Sequence, residues 1–160
     1  MKKEKNTLVN QIHRYFGVEF NNSLWDYFDK KDRTDEENDD MIGIAFSALT
    51  HWKLYSGGTA ANVQRGEYMI AKAFYKAGNR QESMIHAEKC LKISEEFKSE
   101  MKDFDFAFAN EIMALANDLN GNKSGFEKFR EIARKKGEEI QGEGDRRVYF
   151  EEFKKSFGES

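Results

Sequence analysis

The chain has 160 residues, 39% hydrophobic, 34% charged and 14% aromatic, with a formal net charge of −3, which fits one domain with a substantial core. The aromatic share argues against intrinsic disorder, and the interspersed charges leave no electrostatic footprint for nucleic acid. One cysteine, Cys90, excludes an intrachain disulfide, and the absence of proline suits helices joined by glycine turns.

The start, Met1 to Lys5, is basic but no apolar segment follows it, so no secretory signal is read. No apolar run approaches the roughly 18 residues of a membrane span. A cytoplasmic protein without a membrane partner is expected. Leu8, Val9, Ile12, Tyr15 and Phe16 fall at helical spacing and predict a first helix over about 6–16, ended by Gly17. Asn22 or Ser23 can cap a short second helix with Leu24, Trp25, Tyr27 and Phe28. The polar stretch Lys30 to Asp40 follows, and its acids suit the start of a helix over about 40–56. Gly57-Gly58 breaks that helix, and Thr59 caps the next, which Gly78 stops. Asn79 caps a helix to about Lys98, and Asp103 or Asp105 begins one stopped by Gly121. A helix over about 124–140 and a last one over 145–157 complete the chain.

One pattern occurs twice. Ala71, Ala73, Gly78 and Asn79 return as Ala114, Ala116, Gly121 and Asn122, an offset of 43 residues (121 − 78). Periods in this range mark helical repeats. Helix 60–77 is apolar on several sides, through Val63, Tyr68, Met69, Ile70, Ala71 and Phe74. Such a helix needs neighbours before and after it.

Between Gly66 and Leu91 the residues resemble a tetratricopeptide repeat: Ala71 at the small position, Phe74 as aromatic anchor, Gly78 at the turn, then Ser83, Ala87, Cys90 and Leu91. The second copy is weaker, because Asn117 stands where the aromatic belongs, and the spacing exceeds the usual 34 residues. A narrower series is similar to a family of small bacterial helical proteins of no assigned activity. It comprises His51-Trp52, Arg65 to Tyr68, His86 to Leu91 and Asp105 to Glu111. The resemblance implies an all-α fold of antiparallel helical hairpins, stacked as a short right-handed tetratricopeptide-like solenoid of about seven to eight helices. Residues 1–160 form a single domain, with capping segments at 1–36 and 142–160 around hairpins at 37–141.

Several polar residues share apolar helix faces. Glu67 lines up with Val63, Ile70 and Phe74; Glu111 with Phe104, Phe108 and Leu115; His86 with Cys90, Ile93 and Phe97. His51 adjoins Trp52, and Arg65 flanks Tyr68. A buried charge must be paired or neutralised, so Glu67 and Glu111 are expected to meet some of His51, Arg65 and His86. This set can be a structural network, a ligand pocket formed by His51, Arg65, Glu67, Tyr68, His86 and Glu111, or a metal site. No two of these residues have the spacing of metal ligands on one helix, so no metal or cofactor is assigned. His86 and Cys90 lie one turn apart, but a lone cysteine on a packed helix reads first as core. No P-loop, nucleophile elbow, zincin or dinucleotide signature occurs. The leading expectation is a protein-interaction module holding a peptide or partner helix in a concave groove, without catalysis. The aromatic ends, Trp25 to Phe28 and Tyr149 to Phe153, can cap the stack or form a homodimer surface. A small-ligand sensor with a polar pocket around Glu67 and His86 is the alternative, and a metal-dependent enzyme ranks last.

Overall fold

The computed structural model describes residues 2–158, with side chains from residue 6 onward. Among the described residues the chain forms seven α-helices and no strand: α1 (Lys2–Asp29), α2 (Asp35–Leu54), α3 (Ala60–Lys76), α4 (Arg80–Glu96), α5 (Asp103–Leu119), α6 (Lys123–Glu138) and α7 (Glu143–Phe157), with a short 3-10 turn at Lys98–Glu100. The side chains of the basic opening, Met1 to Lys5, fall outside the described residues. No helix described is long and apolar enough to cross a membrane.

The first helix corrects the sequence reading. Two short helices with a stop at Gly17 were expected, and α1 runs unbroken through that glycine. A glycine ends a helix when it adopts positive φ; inside one it merely costs about 1 kcal/mol relative to alanine. Gly17 is buried and has no positive φ. A Cβ there would lie 2.9 Å from Trp52 Cε2. The missing side chain lets the α2 indole press onto the α1 backbone.

The polar stretch after α1 is a helix start, five residues earlier than expected (40 − 35). Thr34 Oγ1 accepts from the Glu37 amide at 3.2 Å, and Glu37 Oε2 accepts from the Thr34 amide at 2.9 Å. This reciprocal cap, with Asp35 and Glu36 in the first turn, satisfies orphan amides and suits the helix dipole.

The doubled pattern builds one turn twice. Gly78 and Gly121 both take φ of 76°. Asn79 N–H donates to Phe74 O at 2.9 Å, as Asn122 N–H does to Asn117 O, closing the same Schellman-type end on α3 and on α5. Each asparagine then caps the next helix, its Oδ1 accepting from Glu82 N or Gly125 N at 3.1 Å. Consecutive helices pack on one another throughout, and α1 with α3, α3 with α5 and α5 with α7 pack as well. The odd-numbered helices therefore form an inner series. Its largest core runs from Leu24 and Phe28 through Tyr68, Ile70 and Phe74 to Ile112 and Leu115. A second cluster gathers Ala107, Ala133, Ile140, Tyr149 and Phe153 where α7 docks.

Candidate functional site

Every residue of α3 from Gly66 to Phe74 is buried. Lys72 lies in that run and is carried inside with it, fully buried. Its ammonium lies 2.5 Å from Glu152 Oε1 and 3.4 Å from Glu111 Oε1, and it donates to Tyr68 Oη at 2.9 Å. Tyr68 donates in turn to Glu111 Oε2 at 2.8 Å, and Ser156 donates to Glu111 Oε1. The rings of Trp25, Phe28 and Tyr68 lie 5.3 to 5.9 Å from the ammonium, within cation–π reach. All four odd-numbered helices thus contribute to one charge cluster. Burial above all, then the charges of Glu111 and Glu152, pushes the Tyr68 pKa well up, so the phenol remains a donor.

On one side of this cluster lies a cavity of about 150 Å³ between α1, α3 and α5. Trp25, Tyr68, Met69, Phe104 and Phe108 give it an apolar wall, and Asn21, Gln64, Arg65 and Asp105 supply the polar part. That polar part is fixed from within. Arg65 donates to both Asp105 oxygens, at 2.8 and 2.9 Å, and its guanidinium lies 5.1 Å from the Phe104 ring centre. Gln64 Nε2 donates to Ser94 Oγ and Asp105 O, both at 3.0 Å. Asp105 Oδ2 also accepts from the Lys102 amide at 2.8 Å, capping α5.

The six sequence candidates fall in four places. Glu67 meets His86, whose Nδ1 lies 2.5 Å from Glu67 Oε2. The imidazole stacks on Phe74 and meets Phe46 edge-on. Arg65 meets Asp105 instead of either glutamate. Tyr68 and Glu111 meet each other and Lys72. His51 lies apart, on the α1–α2 contact, where its Nδ1 is 3.0 Å from His13 Nδ1 beside Phe16 and Phe20. Burial first, then the charge of His13, lowers the His51 pKa below its usual 6.5. A proton is therefore held less tightly in the folded than in the unfolded chain. The resulting stability loss begins as pH falls below 6.5 toward the lowered value. Urea unfolding at about pH 7, 6 and 5 should show a shallower acid-side loss for His51→Gln than for the parent chain. Equal slopes would remove His51 as the source.

Cys90 is fully buried, and burial chiefly, aided by the Asp105, Glu67 and Glu111 charges, pushes its thiol pKa well up. The neutral thiol suits packing better than nucleophilic attack.

Sequence reasoning missed Lys72, Glu152, Ser156, Asp105 and His13. Lys72 had a usable signal, a cation amid buried apolar residues one turn after Tyr68. Glu152 had a weaker one, set between Tyr149 and Phe153. Among the described residues no group of three or more His, Cys, Asp or Glu side chains is placed to hold a metal ion. Compared with known proteins, the chain matches no family model, no curated protein and no solved structure.

Proposed function

We propose that the protein is an interaction module of tetratricopeptide-like type, taking one bulky apolar side chain of a partner peptide or helix into the cavity between α1, α3 and α5. The cavity itself carries this reading. Its wall holds four aromatic rings and a methionine, the composition that favours buried anchor residues at interfaces. Its volume, about 150 Å³, suits a side chain better than a drug-sized ligand, which fills roughly 300–1,000 Å³. Arg65 and Asp105 satisfy each other, so the site offers shape and orientation in place of a reactive group.

The hairpin-stack reading is supported by the two turns of equal geometry 43 residues apart and by contacts between alternate helices. Tyr68 and Glu111 are also 43 residues apart and hydrogen-bonded to each other, as stacked equivalent positions would be. The alternative pocket at Glu67 and His86 has less support, because that carboxylate and imidazole are engaged with each other between aromatic rings.

Selection from a random displayed peptide library tests the proposal. The enriched peptides are expected to share one Phe, Trp or Leu in an otherwise tolerant frame. Asn21→Trp, at a partly exposed cavity position, should fill the opening and weaken such peptides by about tenfold or more, given what a lost anchor costs, while circular dichroism stays unchanged. No shared anchor, or peptides indifferent to Asn21→Trp, would reject it.

A further inference from the structure

A second cavity, about 490 Å³, opens where the ends of α1, α3 and α7 meet the loop before α2. Its size is within the range of small-molecule sites, roughly 300–1,000 Å³. The wall carries five cations, Lys30, Lys31, Arg33, Lys76 and Lys155, against two acids, Asp29 and Glu152. Both acids are already answered. Lys155 holds Asp29 at 2.9 and 3.1 Å, and Lys72 holds Glu152. Lys30 pairs with Glu37 outside the wall.

The remaining cations have no acid. Arg33 donates to Asn38 Oδ1 and Tyr27 O at 3.0 Å, to Lys76 O at 2.9 Å, and to Lys30 O. These neutral acceptors fix the guanidinium without cancelling its charge. The Lys31 and Lys76 ammoniums make no hydrogen bond or ion pair among the described residues. Lys31 is exposed, whereas Lys76 is half-buried. Burial, then the charges of Lys72 and Arg33, lowers the Lys76 pKa despite the opposing pull of Glu152 and Asp29. Helix C-termini favour cations, and Arg33 fills that role for α1 and α3. The role does not extend to Lys31 and Lys76, which donate to no carbonyl.

We propose that this cavity binds a phosphate-bearing small molecule, with Lys76 and Lys31 contacting the phosphate and Arg33 as a fixed charge behind them. Three unanswered positive charges match a phosphate ester, which carries about −1.5 to −2 at neutral pH, or a diphosphate. A single carboxylate would leave most of that charge unmet. Glu152 and Ser156 connect this wall to the buried cluster, so occupancy should also hold α7 against α1 and α3 and raise the melting temperature. The site is separate from the apolar cavity and does not rest on the interaction-module reading.

Titration calorimetry with inorganic pyrophosphate at physiological ionic strength provides the test. Saturable one-to-one binding and a raised melting temperature are expected. Lys76→Met and Lys31→Met should each weaken binding by about tenfold, the scale of a lost charge-assisted contact. Lys31 is exposed, so its variant keeps the test valid if Lys76→Met misfolds. Lys92→Met, at an exposed α4 position whose ion pair is with Glu96, should bind as the parent does. No binding at millimolar pyrophosphate, or equal weakening in Lys92→Met, would overturn the proposal. A parallel arm uses phosphatidylcholine vesicles with and without phosphatidic acid. Lys76-dependent sedimentation with the acidic vesicles and no response to pyrophosphate would assign the phosphate to a lipid headgroup and overturn the small-molecule proposal.

Discussion

Lys72→Met is expected to destabilise the protein by about 3–5 kcal/mol, the usual result of removing one partner from a buried ion pair. The loss of attraction is the smaller part of the reason. Glu111 has no exposed surface, and Glu152 is 9% exposed. Without the ammonium, both carboxylates remain inside, Glu111 with only the hydroxyl donors of Tyr68 and Ser156 and Glu152 with only the Lys155 ammonium at 3.9 Å. Lys72→Met, Glu111→Gln and Glu152→Gln combined should recover much of the loss, because no ion is then stranded. Urea unfolding of the single and triple variants decides the matter. A triple variant as unstable as the sum of its singles would show that the three charges act independently.

The second large effect is expected at Tyr149. It is the largest fully buried side chain and sits against Phe108, Phe150 and Phe153, with ring centres 4.9 to 5.9 Å away. Its hydroxyl donates to Ala133 O at 2.9 Å, joining α7 to α6. Burial first, then the Glu111 charge, raises its pKa, so the phenol stays a donor. Tyr149→Ala should cost about 3–5 kcal/mol through the cavity it leaves, whereas Tyr149→Phe, losing the hydrogen bond, should cost about 1 kcal/mol. Hydrogen exchange should accelerate first in α7. Uniform acceleration along the chain would mean that α7 does not open separately from the rest.

Local chemistry was legible where it was decided locally. Gly78 and Gly121 announced their turns because a positive φ strongly favours glycine, and Asn79 announced a cap because its side chain reaches the amide three residues on. Gly17 misled because its role is set by Trp52 on another helix, which no window around residue 17 contains. The site was harder for the same reason. Placing glutamates on apolar faces located Glu67 and Glu111, but their partners depend on how helices pack. Asp105 is 40 residues from Arg65 and Glu152 is 80 from Lys72. Lys72 was passed over because a lysine within an amphipathic pattern ordinarily faces water, whereas α3 contacts neighbours on several sides. The second copy replaces its aromatic with a local contact. Phe74 stacks on His86. At the equivalent position Asn117 accepts from the capping Asn122 at 2.7 Å, so an amide lock replaces the aromatic contact.

The Lys72 cluster also limits how this chain could change length. Repeat proteins ordinarily gain or shed whole units, because each unit touches only its neighbours. Here two of the three aromatic rings around the ammonium come from α1 and one of its two carboxylates from α7. Trimming either end would strip a buried ion of its surroundings, and inserting a hairpin between them would pull its partners apart. Such a chain should hold its length, neither gaining nor shedding a hairpin.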